Sequence, residues 1–364
     1  MEKVFKMISN EILEKFNNLK NKKDVIVLAV ESSCDETSIA VIKNGREILS
    51  NIISSQIDIH KRFGGVVPEV ASRNHLLAVN NVLNEALEKA NITLKDIDAV
   101  GVTFGAGLVG ALMVGVTFAK SLAYALRVPL IKVNHIKAHI SANYLANPDL
   151  KPPFMALVVS GGHTAIVRVD DYVNSTLIGT TYDDAIGECY DKVAKVLGLG
   201  YPGGPVVDKY SKLGKNNIKF VKPTANGGGE YAFSYSGLKT AVINYIHKLE
   251  QNGEKPNIED VCASFQSHAV DELVHKSIKA CKEFGEDKLV VAGGVSANSY
   301  LREQLISKGK KVGIKVFVPP IILCTDNAGM VGAEAYNLIM SGEGLADLDL
   351  TADPSINLKC TKGI

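Results

Sequence analysis

Two histidines four residues apart are the residues of this chain whose types and spacing most directly suggest chemistry. His135 and His139 lie in the segment 133–142, and a helix beginning near His135 would place both imidazoles on one face, one turn apart. Metal ligands use this spacing, although such pairs also occur in polar cores and on surfaces. A zinc protease of the H-E-x-x-H type needs a glutamate beside the first histidine, where this chain has Ile136. The sequence therefore argues against peptide hydrolysis by that mechanism.

A carboxylate near the C-terminus is the third candidate ligand. Asp326 lies between the apolar run 316–323 and a predicted helix, so it could simply cap that helix. If two halves of the chain face one another across a cleft, however, this carboxylate can reach His135 and His139. Two histidines and one carboxylate leave coordination positions open, which favours a catalytic Zn²⁺ or Fe²⁺ site over a closed structural one.

Three Gly-Gly turns in the second half of the chain could hold a phosphate or a nucleoside. They are Ser160-Gly-Gly-His-Thr164, Tyr201-Pro-Gly-Gly-Pro205 and Gly293-Gly-Val-Ser-Ala-Asn298. Glycines let backbone N–H groups approach an anion closely. Asp191, on the helix before the Tyr201 motif, could bind a ribose. The helix that begins after the Gly293 motif offers further N–H groups at its N-terminus. Each motif alone is a weak signal that equally describes a plain turn. Together they favour a nucleotide pocket.

The elements that must position these residues occur twice along the chain. Each half contains two short apolar segments separated by a polar turn, then a strand with a glycine turn, a helix, a further strand and a further helix. The strand 128–133 ends just before His135, at the place where open α/β sheets carry their sites. The pattern predicts a duplicated α/β domain whose halves each follow the order β-hairpin, helix, strand, helix, strand, helix.

Length and composition agree with this organisation. The chain has 364 residues, is 46% hydrophobic and has a net charge of +1, which suits two lobes with large cores. We expect an amphipathic extension over residues 1–23, a first lobe over 24–151, and a second lobe over 152–327 with an insertion at about 215–259. A C-terminal helix at about 328–350 is expected to return to the first lobe.

Charge, cysteine usage and hydropathy limit the cellular location and the binding partners that we expect for the chain. The apolar stretch 108–119 is too short to span a bilayer, and six cysteines without a C-x-x-C pair fit a reduced cytosol. We therefore expect a cytoplasmic protein with no membrane partner. Near-neutral charge means that a nucleic acid would need a local basic patch or a second protein. The lysine-rich run 308–315 is more typical of a solvated connection between elements than of an RNA-binding patch.

Several motifs, in order from about residue 25 to residue 336, resemble one family. They are Glu31-Ser-Ser-Cys-Asp-Glu-Thr37, Gly64-Gly-Val-Val-Pro-Glu69 with Ala71-Ser-Arg73, His135-x-x-x-His139, the three glycine motifs, Phe233-Ser-Tyr-Ser-Gly-Leu-Lys-Thr240 and Cys324-Thr-Asp-Asn327. The family is TsaD/Kae, the tRNA N(6)-adenosine threonylcarbamoyltransferases, formerly called O-sialoglycoprotein endopeptidases or glycoproteases. Two departures are Ile136-Lys137-Ala138, which lacks the usual bacterial Glu-Gly, and Gly329, where alanine is commoner.

The resemblance implies a fold and a site. The fold is ASKHA (actin-like ATPase/sugar kinase), with two duplicated RNase H-like lobes and an interlobe cleft. His135, His139 and Asp326 would be the catalytic ligands of one divalent ion per subunit, Fe²⁺ or Zn²⁺. The residues implied to hold the adenylate substrate are Val158, Val159, Ser160, Gly161, Gly162, Asp191, Gly204, Asp208 and Asn298.

The resemblance also implies an activity and partners. The chain would be an acyltransferase that moves the threonylcarbamoyl group from threonylcarbamoyl-AMP to the 6-amine of the adenosine beside the anticodon, in tRNAs that read ANN codons. Its implied partners are a TsaB-like paralogue and a TsaE-like ATPase. Three alternatives remain at this point: an actin-like or sugar-kinase ATP-dependent phosphotransferase, a glycoprotein-cleaving metalloprotease and an inactive scaffold.

Overall fold

The computed structural model describes residues 2–220, 229–356, 358 and 362–363. The chain forms two compact units. The first unit comprises residues 1–59, 66–151 and 325–359, and the second comprises 60–65, 152–324 and 360–364. Part of the predicted insertion, residues 221–228, lies outside the described residues.

Each half begins with antiparallel strands and continues with helices and two further strands, as the sequence predicts. The strands are β1 (Ile26–Glu31), β2 (Glu36–Lys43), β3 (Glu47–Ser55), β4 (Ala99–Gly105), β5 (Leu130–Asn134), β6 (Phe154–Val159), β7 (Thr164–Val169), β8 (Ser175–Thr180), β9 (Lys288–Ala292), β10 (Lys315–Phe317), β11 (Leu345–Ala346) and β12 (Lys362–Gly363). The helices are α1 (Glu2–Leu19), α2 (Ile57–His60), α3 (Pro68–Ala90), α4 (Val109–Leu126), α5 (His135–Ala146), α6 (Ile186–Val196), α7 (Gly203–Ser211), α8 (Ser236–Gln251), α9 (Ile258–Glu283), α10 (Ser299–Lys311) and α11 (Ala328–Ser341). Within the described residues, the second half has four helices, α6 to α9, between its antiparallel strands and its next strand, where the predicted repeat has one.

Each unit is built on one six-stranded sheet, and five strands of the two sheets follow the same order, with the sixth strand at opposite edges. The first sheet runs β11-β5-β4-β1-β2-β3 and the second runs β10-β9-β6-β7-β8-β12. In both, a central strand pairs in parallel with a later strand and antiparallel with the next one along the chain. The predicted duplication is therefore confirmed.

Each half contains a third meander strand that the sequence analysis did not predict. β3 pairs antiparallel with β2, and β8 pairs antiparallel with β7. Most residues of both strands are partly buried or exposed, so neither shows the apolar run that identified their neighbours. A strand near the edge of a sheet needs no strongly apolar sequence, because only part of its surface faces a core.

The parallel strands of the first unit bring its candidate functional side chains to one edge. β1, β4 and β5 are consecutive in the sheet and run in the same direction. Their near-continuous apolar residues are buried on both faces, as parallel strands covered by helices require. Their carboxyl ends carry Glu31, Thr103 and Asn134, and His135 begins the helix that follows.

One apolar helix packs inside the first unit. By length and composition alone, α4 could cross a membrane, and one-third of it is buried. Its small residues Ala111, Gly115 and Ala119 are buried, and the helix packs against β4 and α3. The sequence favours a buried helix for the apolar stretch 108–119, whereas the helix continues to Leu126 and only one face of it is buried.

Candidate metal centre and glycine turns

The first two turns of α5 present both histidines on one face. Asn134 caps this helix, its side chain accepting hydrogen bonds from the N–H groups of Ile136 and Lys137. This cap ends β5 and starts the helix at His135. The imidazole centroids of His135 and His139 lie 4.6 Å apart with the rings inclined at 75°. Both rings are buried, with 8% and 2% of each residue exposed.

Asp326 lies against this pair, within the same compact unit. Its Oδ1 is 3.1 Å from His139 Nε2 and 3.6 Å from His135 Nε2, and one donor atom from each of the three residues lies within 4.8 Å of the others. The cap of α11 is Asn327, whose side chain accepts from Met330 N–H. Asp326 is therefore not the helix cap that its position also suggested.

Two polar side chains hold the backbone that carries Asp326. Ser38 Oγ accepts a hydrogen bond from Ala328 N–H at 2.8 Å, and Asn51 Oδ1 accepts one from Gly329 N–H at 3.2 Å. Ser38 belongs to β2 and Asn51 to β3, so the C-terminal helix is fixed to the meander of the first sheet. This attachment explains why Asp326 belongs to the first unit, although the sequence places it at the end of the second half.

The donor set fits a divalent metal ion. Within the part of the chain that the structure describes, neither ring nitrogen of His139 has a hydrogen-bond partner, and its 3.1 Å approach to Asp326 lacks hydrogen-bond geometry. A buried imidazole with both nitrogens unsatisfied is costly. A cation shared by the imidazole nitrogens and the carboxylate would satisfy His139 Nε2 and offset the charge of Asp326. Two nitrogens and one oxygen suit Zn²⁺ or Fe²⁺ better than Mg²⁺.

Glu31 lies beside the cluster, although the sequence analysis did not include it among the candidate site residues. It is fully buried, and its Oε2 lies 3.2 Å from His135 Nδ1. Burial alone would raise the pKa of this carboxyl, but the charge of His135 and its hydrogen bond outweigh burial and lower the pKa. Burial lowers the pKa of His135, whereas the charges of Asp326 and Glu31 raise it to about 9. The His135 ring thus lies between two acids, with Nδ1 facing Glu31 and Nε2 facing Asp326.

Further acidic groups surround this centre. Asp35 and Glu36 follow β1, and burial together with the charges of Asp326 and Asp35 raises the pKa of Glu36 to about 10. Burial and the same two charges also raise the pKa of the Cys34 thiol. A cation bound by Asp326 would offset this accumulation of negative charge. The acidic pattern is present in Glu31-Ser-Ser-Cys-Asp-Glu36, but spacing alone does not show that it faces Asp326.

The second unit contains the predicted glycine turns. Ser160 accepts a backbone hydrogen bond from Gly187 N–H at 3.2 Å and donates one to His163 O at 2.8 Å. A Cβ atom placed on Gly161 or Gly162 would meet nothing within 4 Å, so the outer side of the turn is open. On the other side, a Cβ on Gly187 would lie 2.6 Å from Ser160 O and 2.8 Å from Gly161 Cα. Gly187 therefore allows the start of α6 to support the turn directly.

Asp191 and Gly204 come together where α6 meets α7. Asp191 Oδ1 accepts a hydrogen bond from Gly203 N–H at 2.7 Å, which ties α6 to the second glycine motif at the start of α7. Gly204 and Asp208 are one turn apart on α7 and so share a face. A Cβ on Gly204 would also meet nothing within 4 Å.

Asp208 and Asn298 are linked through a glutamine. Gln266 on α9 donates to Asp208 Oδ1 at 3.2 Å and accepts from Asn298 Nδ2 at 2.7 Å. Asn298 also caps α10 by accepting from Leu301 N–H. Gln266 is buried and was not among the residues the sequence suggested, because an isolated glutamine within a helix gives no spacing signal.

Val158 and Val159 differ from the other predicted substrate residues. Both are fully buried in β6, and Val158 is paired with Ala165 on one side and Ala292 on the other. Their side chains belong to the core of the second unit. Any contact they make with a ligand must come from the backbone at the end of the strand.

Comparisons with known proteins identify the family. A family model described as TsaD, tRNA N6-adenosine threonylcarbamoyltransferase, matches residues 47–333. A protein of that name from Clostridium novyi (strain NT) is 57% identical over 92% of this chain and 98% of its own length. One from Clostridium perfringens (strain SM101 / Type A) is 56% identical over 93% of this chain and 99% of its own length.

Solved structures confirm the fold. A full-length HypF in a phosphate- and nucleotide-bound form superposes with a TM-score of 0.60 at 16% identity, covering 88% of this chain and 47% of HypF. Component A of the Acidaminococcus fermentans (R)-2-hydroxyglutaryl-CoA dehydratase gives 0.50 at 15% identity, covering 86% of this chain and 99% of that one. At these identities the likeness shows the fold alone, and the expected ASKHA fold is confirmed. Taken with the family match over most of its length, the chain belongs to the TsaD family of acyltransferases, the tRNA N6-adenosine threonylcarbamoyltransferases.

Proposed function

We propose that this protein transfers the threonylcarbamoyl group from threonylcarbamoyl-AMP to the exocyclic 6-amine of the adenosine next to the anticodon, in tRNAs that read ANN codons. A bond forms between N6 and the carbamoyl carbon, the bond from that carbon to the phosphate oxygen breaks, and AMP and one proton leave. The observation that carries the proposal is the His135–His139–Asp326 cluster, in a chain that is 57% identical to a threonylcarbamoyltransferase over 92% of its length.

His135, His139 and Asp326 are proposed to hold one Fe²⁺ or Zn²⁺ ion per subunit. Such an ion, when bound, supplies a Lewis acid and a template for the oxygens of the reacting group. The role of this chain's residues is to fix the three donors on rigid elements, the start of α5 and the residue before the cap of α11. His135 and His139 are buried and Asp326 is partly exposed. The cluster is therefore accessible to solvent on the side of the Asp326 carboxylate.

The adenylate is proposed to bind along the residues gathered in the second unit. In the turn Ser160–Gly162, the two glycines offer backbone N–H groups, with open space beside both of them for a phosphate. Asp191 and Asp208 offer carboxylate oxygens for ribose hydroxyls, and Asn298 offers an amide. Amides that stabilise the phosphate of the departing AMP would lower the barrier to transfer.

Positioning is proposed to supply most of the rate enhancement. An aromatic amine is a poor nucleophile, and holding it beside an activated carbonyl converts a bimolecular step into an intramolecular one. The base must also leave its stack in the anticodon loop, as single-stranded RNA bases do when proteins recognise them. We further propose that the protein acts in the cytoplasm with a TsaB-like paralogue and a TsaE-like ATPase, as the family implies.

The phosphotransferase alternative shares the fold but fits the donor set less well. Kinases of this fold class need Mg²⁺, which binds carboxylates, phosphates and water rather than paired imidazoles. Here two buried histidines face one carboxylate. The acyltransferase is therefore the function that the geometry supports best.

Purified protein mixed with its proposed partners, threonylcarbamoyl-AMP and unmodified tRNA tests this proposal. We expect mass spectrometry of the digested tRNA to detect threonylcarbamoyl-adenosine in transcripts that read ANN codons. Transcripts with another base beside the anticodon serve as the control and should remain unmodified. Unmodified ANN-reading tRNA, together with ATP-dependent phosphorylation of a sugar by the same protein, would favour the kinase instead.

A further inference from the structure

The two histidines of the cluster are held in different ways. His135 Nδ1 lies 3.2 Å from Glu31 Oε2 and 3.2 Å from Ser33 Oγ. His139 has no hydrogen-bond partner at either ring nitrogen within the described residues. One imidazole is thus oriented by the protein before any ion binds, and the other is oriented by packing alone.

Glu31 is itself fixed by three donors. Its Oε1 accepts from Ser33 N–H at 2.6 Å, and its Oε2 accepts from Thr103 Oγ–H at 2.6 Å as well as facing His135 Nδ1. Glu31 and Thr103 are both fully buried. They lie side by side on neighbouring parallel strands, each one residue beyond the pair Val30 and Val102. The sheet therefore places the carboxylate beside His135 with little freedom to move.

This arrangement determines which nitrogen of His135 faces the cluster. A carboxylate can only accept hydrogen bonds, so the nitrogen beside Glu31 must be the one that carries a hydrogen. His135 Nε2, on the side of Asp326 at 3.6 Å, is then the nitrogen whose lone pair can bind an ion. Carboxylates that orient metal-binding histidines in this way raise the basicity of the ligand, and their loss costs metal affinity.

We propose that Glu31 is a positioning residue for the metal centre, fixing His135 with Nδ1 protonated and Nε2 directed at the ion. The inference rests on the proposed metal site. It makes His135 the pre-oriented ligand of the pair, and it assigns Thr103 and Ser33 the role of holding Glu31 in place.

The substitution Glu31→Gln tests the proposal with a side chain of the same shape. If the carboxamide turns its NH₂ towards His135, Nδ1 must accept, Nε2 carries the hydrogen and the ion loses a ligand. If the carboxamide keeps its oxygen towards His135, its NH₂ faces Ser33 N–H, and the donors repel. We therefore expect affinity for Zn²⁺, measured by chelator competition on the purified full chain, to fall about 10- to 100-fold.

Glu334→Gln is the matched control. Glu334 is also a buried glutamate in the first unit, on α11, and accepts from Ser141 Oγ on α5 at 2.6 Å. Within the described part of the chain, its carboxylate is hydrogen-bonded to Ser141 and to neither histidine, so the Zn²⁺ affinity of the variant should equal that of wild type. The absorption spectrum of bound Co²⁺ should change in Glu31→Gln, because His135 is lost or displaced as a ligand, and should stay unchanged in Glu334→Gln.

A measurement on the wild-type protein keeps the test valid if Glu31→Gln does not fold. In the Zn²⁺-loaded protein, long-range ¹H–¹⁵N NMR of the histidine rings should show His135 protonated at Nδ1 and metal-bound through Nε2. Binding through Nδ1, or a folded Glu31→Gln with wild-type Zn²⁺ affinity and Co²⁺ spectrum, would overturn the positioning role. Failure of the wild-type chain to bind Zn²⁺ would overturn the proposed metal site itself, and the role of Glu31 with it.

Discussion

Replacing His139 with alanine is expected to abolish bound metal and to lower the rate of tRNA modification by about 1000-fold or more. A bound ion of this kind contributes several kcal/mol to transition-state stabilisation, and each 1.4 kcal/mol changes the rate by about a factor of ten. The chain should remain folded. The lost imidazole makes no hydrogen bond within the described residues, so its removal costs packing but also deletes unsatisfied buried atoms. Elemental analysis, circular dichroism and nucleoside mass spectrometry of the same preparation measure the three outcomes.

His268→Ala is the control for this experiment. His268 is a half-buried histidine on α9 in the second unit, and its Nδ1 is 2.7 Å from the carbonyl of Ser264. Its replacement should leave the metal content unchanged. Undiminished turnover by a folded, metal-free His139→Ala protein would remove the ion from the mechanism.

The substitution Gly187→Ala is expected to raise the KM for threonylcarbamoyl-AMP by about 10- to 100-fold, since displacements of less than about 1 Å at a binding site have effects of this size. The added Cβ would lie 2.6 Å from Ser160 O and 2.8 Å from Gly161 Cα. Both neighbours are backbone atoms, so the turn that is proposed to bind the phosphate must move. Metal content should not change, because His135, His139 and Asp326 belong to the other unit.

Gly237→Ala provides a matched comparison. Gly237 is the second residue of α8, as Gly187 is of α6, and both variants gain the same helix propensity. A Cβ on Gly237 would meet nothing within 4 Å. Its KM should equal that of wild type. An unchanged KM in Gly187→Ala as well would show that the Ser160–Gly162 turn does not hold the adenylate.

The local features of the metal centre could be predicted from the sequence. The apolar run before Asn134 and the helical spacing of His135 and His139 identify a strand end followed by a helix, and the structure has both. These features depend on neighbouring residues alone. The same holds for the glycine turns, whose strand and helix boundaries follow from short apolar runs and from glycine itself.

The long-range features required the structure. Asp326 reaches the histidines because Ser38 and Asn51 hold the start of α11, about 290 and 280 residues away along the chain, and no periodicity encodes that attachment. In the sequence, Glu31 is only the polar end of an apolar strand. Its position beside His135 follows from the order of β5, β4 and β1 in the sheet. Gln266 likewise is recognised as part of the candidate site only from its hydrogen bonds to Asp208 and Asn298.

The central claim is that one ion held by His135, His139 and Asp326 is required for transfer of the threonylcarbamoyl group. Its most direct test measures metal content and tRNA modification together, in wild-type protein before chelation, after chelation and after stepwise addition of Fe²⁺ or Zn²⁺. The account predicts one ion per chain, loss of modification on chelation, and recovery in proportion to the ion restored. Full modification by protein stripped of metal would contradict it.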